Sequence, residues 1–308
     1  MPFRAVAVPL DGSKLAEQAL PVAAAIARAA GARLRLILIH QLPPPPNDKA
    51  SAKLYVSIGV ALRKSQRDYL RRLAKQLGET YGVKVTAVSP TGPVAETLSE
   101  WIHDAGADLV VMTTHGRGAI ERALLGSVAD RLVRTLEVPI ILLRPPADDT
   151  APASDWTPRE IVVGLDGSRL AEAALPPAVE LAGLFRAPLT VLQVIEPLPV
   201  VADPPLSFAT GYDERISEAL RREAQDYLDS VAEGLRKDGL QVHGVARLGW
   251  SAAGVMVQLT PERAGLIAVA THGRGGLKRA LLGSVADKLI RTAQVPVLVV
   301  RPKGRRSS

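Results

Sequence analysis

The sequence contains one glycine-rich stretch twice, TTHGRGAIERALLGSVAD at residues 113–130 and ATHGRGGLKRALLGSVAD at residues 270–287. Each copy follows a short apolar run, at residues 109–112 and 266–269, of the kind that forms buried strands. Each copy also ends where a helix is expected to begin. The stretch therefore predicts a glycine loop between a strand and a helix, once in each half of the chain.

The end of each copy carries the features of a helix start. Ser127 precedes Asp130 by three residues, and Ser284 precedes Asp287 by three, which is the spacing of a capping box. Glycine lets the backbone approach an anion closely, and a helix N-terminus presents N–H groups without intrahelical partners. The repeated stretch therefore predicts a phosphate-binding loop in each half. The alternative is that the glycines and serines serve only turns and helix caps.

The two halves repeat the same order of predicted elements. Asp11-Gly12-Ser13 follows an apolar run at residues 5–10, and Asp166-Gly167-Ser168 follows another at residues 161–165. We predict strands at 5–10, 34–39, 83–88, 109–112 and 138–143, and again at 161–165, 189–195, 242–246, 266–269 and 295–300. We predict helices at 15–30, 52–79, 94–105 and 127–136, and again at 214–237 and 251–259. Strands that alternate with helices indicate a parallel, doubly wound sheet, which binds ligands beyond the carboxyl ends of its strands.

Prolines and charge mark irregular segments and boundaries. Pro21 predicts a kink or an irregular first turn in the helix expected at 15–30, and prolines at 43–46 and from 197 to 205 interrupt the chain after the second strand of each half. The predicted organisation is a first domain at 1–146, a linker at 147–158, a second domain at 159–302 and a basic tail at 303–308.

Composition excludes several classes of protein. A length of 308 residues favours two domains, and the absence of cysteine excludes disulfides, thiol chemistry and cysteine zinc sites. No run approaches the roughly 18 apolar residues of a membrane span, and the first residues lack the pattern of a signal peptide, so we expect a cytoplasmic protein without a membrane partner. The net charge of +7 includes four basic residues near the C-terminus. Since no basic patch is interleaved with aromatics, we expect no nucleic-acid partner.

The glycine stretches resemble the nucleotide-binding signature of the universal stress protein family, Gly-x-x-Gly, nine residues, Gly-Ser/Thr. Nine residues separate Gly116 from Gly126 and Gly273 from Gly283, although the first glycine of the pattern is replaced in both copies. The resemblance covers nearly the whole chain. It implies two Rossmann-like α/β domains in tandem, each with a five-stranded parallel sheet of order 3-2-1-4-5, that bind ATP with Mg²⁺.

The resemblance and the motifs together give the candidate binding residues. These are Asp11, Gln41, Thr113, His115, Gly116, Arg117, Gly126, Ser127 and Val128 in the first half, and Asp166, Val194, Ala270, His272, Gly273, Arg274, Gly283, Ser284 and Val285 in the second.

Several of these residues have two interpretations. Each aspartate is expected to serve a ribose hydroxyl or Mg²⁺, or else to form a turn and helix cap. Each histidine is expected to bond a backbone carbonyl or to contact phosphate, and each arginine to reach phosphate oxygens or solvent. By resemblance, Gln41 and Val194 occupy the position that packs on adenine, where Gln41 is a departure. Thr113 and Ala270 stand where the first glycine of the signature is expected.

Motifs of catalysis are absent from the sequence. It has no P-loop lysine, no HExxH and no Gly-x-Ser-x-Gly. We therefore expect ATP to be a stable ligand that regulates conformation or partner choice in stress adaptation. The alternatives are a slow ATPase or phosphotransferring enzyme, and a nucleotide-free signalling scaffold. The apolar terminal strands at 138–143 and 295–300 are expected to meet as an intrachain pseudo-dimer, with further homodimerisation left open.

Overall fold

The computed structural model describes residues 3–42, 47–115, 125–145, 155–197, 199–200, 211–212, 214–237, 239–259, 265–271 and 282–302. The chain divides into two compact units, Met1–Thr157 and Pro158–Ser308. Most of the predicted linker and the basic tail at 303–308 lie outside the described residues.

The first unit is an α/β domain with a parallel sheet. Its elements are β1 (Ala5–Leu10), α1 (Lys14–Glu17), α2 (Leu20–Ala30), β2 (Arg33–Leu38), α3 (Lys49–Tyr81), β3 (Val85–Val88), α4 (Val94–Asp104), β4 (Leu109–Thr113), α5 (Ser127–Thr135) and β5 (Ile140–Leu143). The strand order is β3-β2-β1-β4-β5, and each ladder between these neighbours is parallel. This is the order 3-2-1-4-5, so the predicted fold class is confirmed.

The second unit repeats this architecture. Its elements are β6 (Ile161–Leu165), a 3₁₀ helix (Ala171–Ala174), α6 (Leu175–Phe185), β7 (Leu189–Ile195), β8 (Pro199–Val200), β9 (Gly211–Tyr212), α7 (Glu214–Arg236), β10 (Val242–Leu248), α8 (Ala252–Leu259), β11 (Leu266–Ala270), α9 (Ser284–Thr292) and β12 (Val297–Val300). The order β10-β7-β6-β11-β12 is again 3-2-1-4-5 within the unit. The proline-rich stretch from 197 to 205, where only an interruption is expected, contains β8, which pairs antiparallel with β9.

The helix expected at 15–30 is divided in two. Helix α1 ends at Glu17 and α2 begins at Leu20, with Pro21 in its first turn. Proline is tolerated there because the first N–H groups of a helix have no intrahelical acceptor. The second unit uses the same device, since α6 also begins with proline and follows a 3₁₀ helix. The predicted irregularity at Pro21 is therefore confirmed.

Small aliphatic side chains build the core of both units. In the first unit, the strands β1 and β4 are buried along their whole length, and α2 buries a run of alanines against the sheet. Alanine brings the helix close to the strands, so few aromatic residues are needed to fill the layer. The rigid sheet fixes the strand ends, where the candidate residues lie.

Candidate functional site

The turn after the first strand of each unit is held by its aspartate. Oδ1 of Asp11 accepts hydrogen bonds from the N–H and the hydroxyl of Ser13, at 2.9 and 2.6 Å. The hydroxyl oxygen of Ser13 in turn accepts the N–H of Ala16 at 3.1 Å and caps α1. Gly12 has a φ of 81°, a conformation that favours glycine. Asp11 thus forms the expected turn through one of its carboxylate oxygens, and Ser13 forms the helix cap.

The second unit forms the corresponding turn. Oδ1 of Asp166 accepts the N–H of Ser168 at 2.9 Å, and the hydroxyl oxygen of Ser168 accepts the N–H of Ala171 at 3.2 Å. Gly167 has a φ of 79°, close to that of Gly12. Both aspartates therefore sit at the carboxyl end of the central strand in a defined turn.

A second strand end and a helix start meet at this edge of the first sheet. The register pairs Val6 with Leu109 and Ala7 with Val110, so Asp11 and Thr114, which directly follow these two neighbouring strands, lie at the same edge of the sheet. The N–H of Gly126 donates to the carbonyl oxygen of Thr114 at 2.9 Å. The start of α5 is therefore fixed next to the aspartate turn.

The second unit has the same junction. The register pairs Leu266 with Ile161, so that its continuation places Asp166 beside Thr271. The N–H of Gly283 donates to the carbonyl oxygen of Thr271 at 2.7 Å. The two halves of the sequence thus build one arrangement twice.

The capping-box prediction is wrong in both halves. Gly126 and Gly283 are the N-cap residues, with φ and ψ of −60° and 145° and of −63° and 145°, and no side chain caps either helix among the described residues. Ser127 and Ser284 are the first helical residues and are exposed. The acidic residues expected to cap instead form ion pairs one turn further on, Asp130 with Arg134 and Asp287 with Arg291.

This arrangement leaves each helix start suited to an anion. The carbonyl oxygen of Gly126 accepts the N–H of Asp130 at 2.9 Å, which is the first intrahelical bond. The N–H groups of Ser127, Val128 and Ala129 precede that bond, as do those of their counterparts in α9 from Ser284 and Val285 onward. Such groups, together with the positive end of the helix dipole, favour phosphate or another anion.

Glycine is required at the N-cap of α5. A Cβ on Gly126 would lie 2.9 Å from the carbonyl oxygen of Thr114, a backbone atom that accepts a bond from the same residue. Because that oxygen belongs to the end of β4, it has little room to move. The close approach predicted from the glycine pattern is therefore present at this position.

The position of the missing signature glycine differs between the units. The side chain of Thr113 is buried, and its hydroxyl donates to the carbonyl oxygen of His115 at 2.7 Å. Nδ1 of His115 lies 2.9 Å from the hydroxyl oxygen of Thr114. Ala270 has only a methyl group at the equivalent position and forms no such bond. The start of the loop is thus tied to the strand by a side chain in the first unit.

The pairing of Gln41 with Val194 is wrong. The register matches Leu10 with Leu38 in the first unit and Leu165 with Gln193 in the second, so the counterpart of Val194 is Ile39. Ile39 is buried, whereas Gln41 is exposed beyond the end of β2. Counting would have found it, since Ile39 and Val194 each follow the aspartate of their unit by 28 residues. The position of Val194 is therefore occupied by an aliphatic residue in both units.

The remaining candidates lie outside the described residues. They are Gly116 and Arg117 in the first half and His272, Gly273 and Arg274 in the second. Across the described part of the chain, no group of three or more acidic residues or histidines is placed to hold a metal ion by itself. Of the helices in that same part, none combines the length and the hydropathy needed to span a bilayer.

Comparisons with known proteins agree with the repeated architecture. The model of the universal stress protein family matches residues 2–144 and again residues 158–301. A universal stress protein of Mycolicibacterium smegmatis is 31% identical over 231 residues, which cover 75% of this chain and 74% of that protein. A universal stress protein of Mycobacterium tuberculosis is 26% identical over 318 residues and covers 96% of this chain and 94% of its own.

A solved structure shows the same fold over almost the whole chain. The universal stress protein of Archaeoglobus fulgidus is 18% identical and has a TM-score of 0.67, covering 97% of this chain and 96% of its own. Two matches to the family model, in the order in which the two units occur, account for both sheets and both helix starts. The chain belongs to the universal stress protein family, with two of its domains in tandem.

Proposed function

We propose that each unit binds ATP with Mg²⁺ and that the bound nucleotide regulates conformation or partner binding in stress adaptation, without fast turnover. The observation that carries this proposal is the glycine N-cap present in both units. The N–H groups of Gly126 and Gly283 each bond to the residue that follows a neighbouring strand. The next N–H groups of each helix precede its first intrahelical hydrogen bond. A triphosphate is the part of ATP that such a cradle favours.

The other candidate residues then have defined tasks. The carboxylates of Asp11 and Asp166 lie at the same strand edge as the helix starts and suit a ribose hydroxyl or Mg²⁺, which prefers oxygen ligands. Ser127 and Ser284 add a hydroxyl at the first helical position. Ile39 and Val194 offer aliphatic surface for the base. The nucleotide supplies the phosphates and the magnesium site, and the chain positions them.

Two alternatives remain as competing hypotheses. A nucleotide-free scaffold is favoured by Thr113 and Ala270, since each places a Cβ where the signature has glycine. A slow ATPase or phosphotransferring enzyme requires a residue that activates water or another nucleophile. Asp11 and Asp166, which follow the first strand of each unit, are acidic candidates, and each uses one carboxylate oxygen in its turn.

Analysis of the protein as purified would separate these hypotheses. We expect ATP to be retained by the purified protein, or calorimetric titration to show that two equivalents of ATP bind. We also expect the bound ATP to remain unhydrolysed for hours. ADP that accumulates from added ATP would favour the enzyme. Failure of ATP and ADP to bind, with or without Mg²⁺, would favour the scaffold and contradict the proposal. Gly126→Glu and Gly283→Glu should each remove one equivalent, since the side chain adds bulk and negative charge beside the phosphates.

We also propose that β5 and β12 pair within one chain as a pseudo-dimer. Both are terminal strands of their sheets and consist of aliphatic residues, IILL and VLVV. Apolar terminal strands favour pairing with another strand. The cysteine-free sequence permits clean cross-linking of single cysteines introduced into the two strands. Cross-links that form only between chains would contradict an intrachain pair. We place the proposed function in the cytoplasm, where ATP and Mg²⁺ are abundant.

A further inference from the structure

Trp250 stands out on the surface of the second unit. Its side chain is 68% exposed, which is unusual for a residue with so large an apolar surface. It lies in the short loop between the end of β10 at Leu248 and the start of α8 at Ala252. Helix α8 buries Ala253 and Met256 instead. The fold of the unit therefore obtains little of its core packing from Trp250.

The loop that carries Trp250 is fixed to the candidate site. The N–H of Gly249 donates to the carbonyl oxygen of Ile195, the last residue of β7, at 3.0 Å. A Cβ on Gly249 would lie 3.4 Å from Cγ1 of Val194 and 2.6 Å from Cγ2 of Val255. Gly249 thus packs against Val194, and Trp250 follows it directly in sequence. Trp250 is therefore one residue along the chain from Gly249, which contacts the aliphatic position expected to pack on adenine.

We propose that Trp250 stacks on the purine base of the nucleotide bound to the second unit. This inference rests on the proposed function and adds a base-binding residue to it. Aromatic side chains stack on nucleic-acid bases because both present apolar π faces. Val194 supplies an aliphatic surface and Trp250 an aromatic one, so a planar base is the part of the ligand that suits them.

The first unit has no aromatic residue in this place. The corresponding loop reads Thr91-Gly92-Pro93, and Pro93 is the N-cap of α4. Proline offers a small aliphatic ring without a π face. The stacking contact is therefore specific to the second unit, and the two sites differ at the end that holds the base.

The experiment follows the emission of Trp250 in the full-length chain. Trp101→Phe and Trp156→Phe together leave Trp250 as the only tryptophan. ATP with Mg²⁺ should quench or shift its emission. Tripolyphosphate with Mg²⁺, which has the phosphates but no base, should bind without this change. A matching response to both probes would mean that the indole senses the phosphates or a loop movement, and it would overturn the stacking contact.

Substitution gives the second readout. Trp250→Ala should weaken ATP binding at one of the two sites about tenfold, which corresponds to about 1.4 kcal/mol, while tripolyphosphate binding is unchanged. Trp250→Phe should retain most of the affinity. The control is Leu248→Ala, which removes a side chain of 41% exposure from the same strand end. Leu248 shares its face of β10 with Gly244, whose Cβ would lie 3.1 Å from Cβ of Leu228 in α7. Since successive residues of a strand point to opposite faces, Leu248 lies on the face opposite to Gly249, and this control should bind ATP normally.

The outcomes distinguish the two proposals. If ATP binds the wild type at two sites but Trp250→Ala binds it equally tightly, stacking by Trp250 is wrong and the proposed function stands. If neither ATP nor tripolyphosphate binds the wild type, the proposed function fails and the stacking contact fails with it.

Discussion

Replacement of Gly126 by alanine tests the close approach at the helix start. The new Cβ would lie 2.9 Å from the carbonyl oxygen of Thr114 and 3.8 Å from Cα of His115. The nearer atom is the acceptor of the N–H of Gly126 itself, at 2.9 Å. Relief of the contact therefore requires the strand end and the helix start to separate, which weakens that hydrogen bond.

The size of the effect follows from two contributions. Extra volume in a packed site costs about 1–3 kcal/mol, and a lost hydrogen bond about 0.5–1.5 kcal/mol. We expect Gly126→Ala to lower the free energy of unfolding of the first unit by about 2 kcal/mol. For a unit of this size, that corresponds to a fall in Tm of roughly 4–8 °C.

A glycine of the same unit provides the control. Gly78 lies inside α3, where a Cβ would be 3.6 Å from the carbonyl oxygen of Val83, an ordinary van der Waals distance. Alanine fits there and should raise stability by about 0.5–1 kcal/mol, because glycine is a poor helix former. Thermal unfolding of both full-length variants, followed by circular dichroism with and without ATP, gives the comparison. Gly126→Ala that unfolds no earlier than the wild type would refute the close approach.

Three further outcomes are expected. Gln225→Ala should destabilise the second unit by about 2 kcal/mol in thermal unfolding, because its amide makes two hydrogen bonds with the backbone of β10; a loss below about 0.5 kcal/mol would contradict this. The pKa of Glu218 is lowered to about 2, first of all by the hydrogen bond from Arg221. The ion pair should therefore stabilise the folded state above pH 4.5, and this stabilisation should be lost as the pH falls toward 2. Carboxyl NMR would show it, and Arg221→Ala should return the titration toward its ordinary range. The second unit should bind ATP several-fold more tightly than the first, and Thr113→Ala, which copies Ala270, should leave this difference in affinity nearly unchanged in two-site calorimetry; a clear narrowing of the difference would assign it to Thr113.

Strands and helices followed from local patterns, whereas strand order did not. Apolar runs and helical periodicity predicted most elements that position the site, with ends that differ by a few residues. The exceptions are the helix expected at 15–30, which is divided in two, and the 3₁₀ helix at Ala171–Ala174, which was not predicted. The order 3-2-1-4-5 came from the family resemblance, because the neighbours of a strand are chosen by contacts distant in sequence. Leu10 pairs with Leu38, for example, 28 residues further along the chain.

The two errors at the site have physical reasons. The spacing from Ser127 to Asp130 fits a capping box, but the N–H of Gly126 bonds to Thr114, twelve residues earlier, and this bond shifts the N-cap to the glycine. A pattern of near neighbours does not contain that bond. Gln41 is not the counterpart of Val194 because the second strands differ in length at their ends. Strand β2 ends at Leu38, the counterpart of Gln193, whereas β7 continues for two more residues to Ile195.

The corrected register changes where the two sites are expected to differ. The helix starts at the phosphate end are nearly the same in both units, since Gly126 and Gly283 have φ values within 3° of each other and bond to the same strand position. The base end differs, because the loop beside Val194 carries Trp250. Both sites should therefore bind tripolyphosphate with similar affinity and separate only when a base is attached. Affinities for tripolyphosphate that differ between the sites as much as those for ATP would place the difference at the phosphate end, and with it the cause in the glycine loops rather than in Trp250.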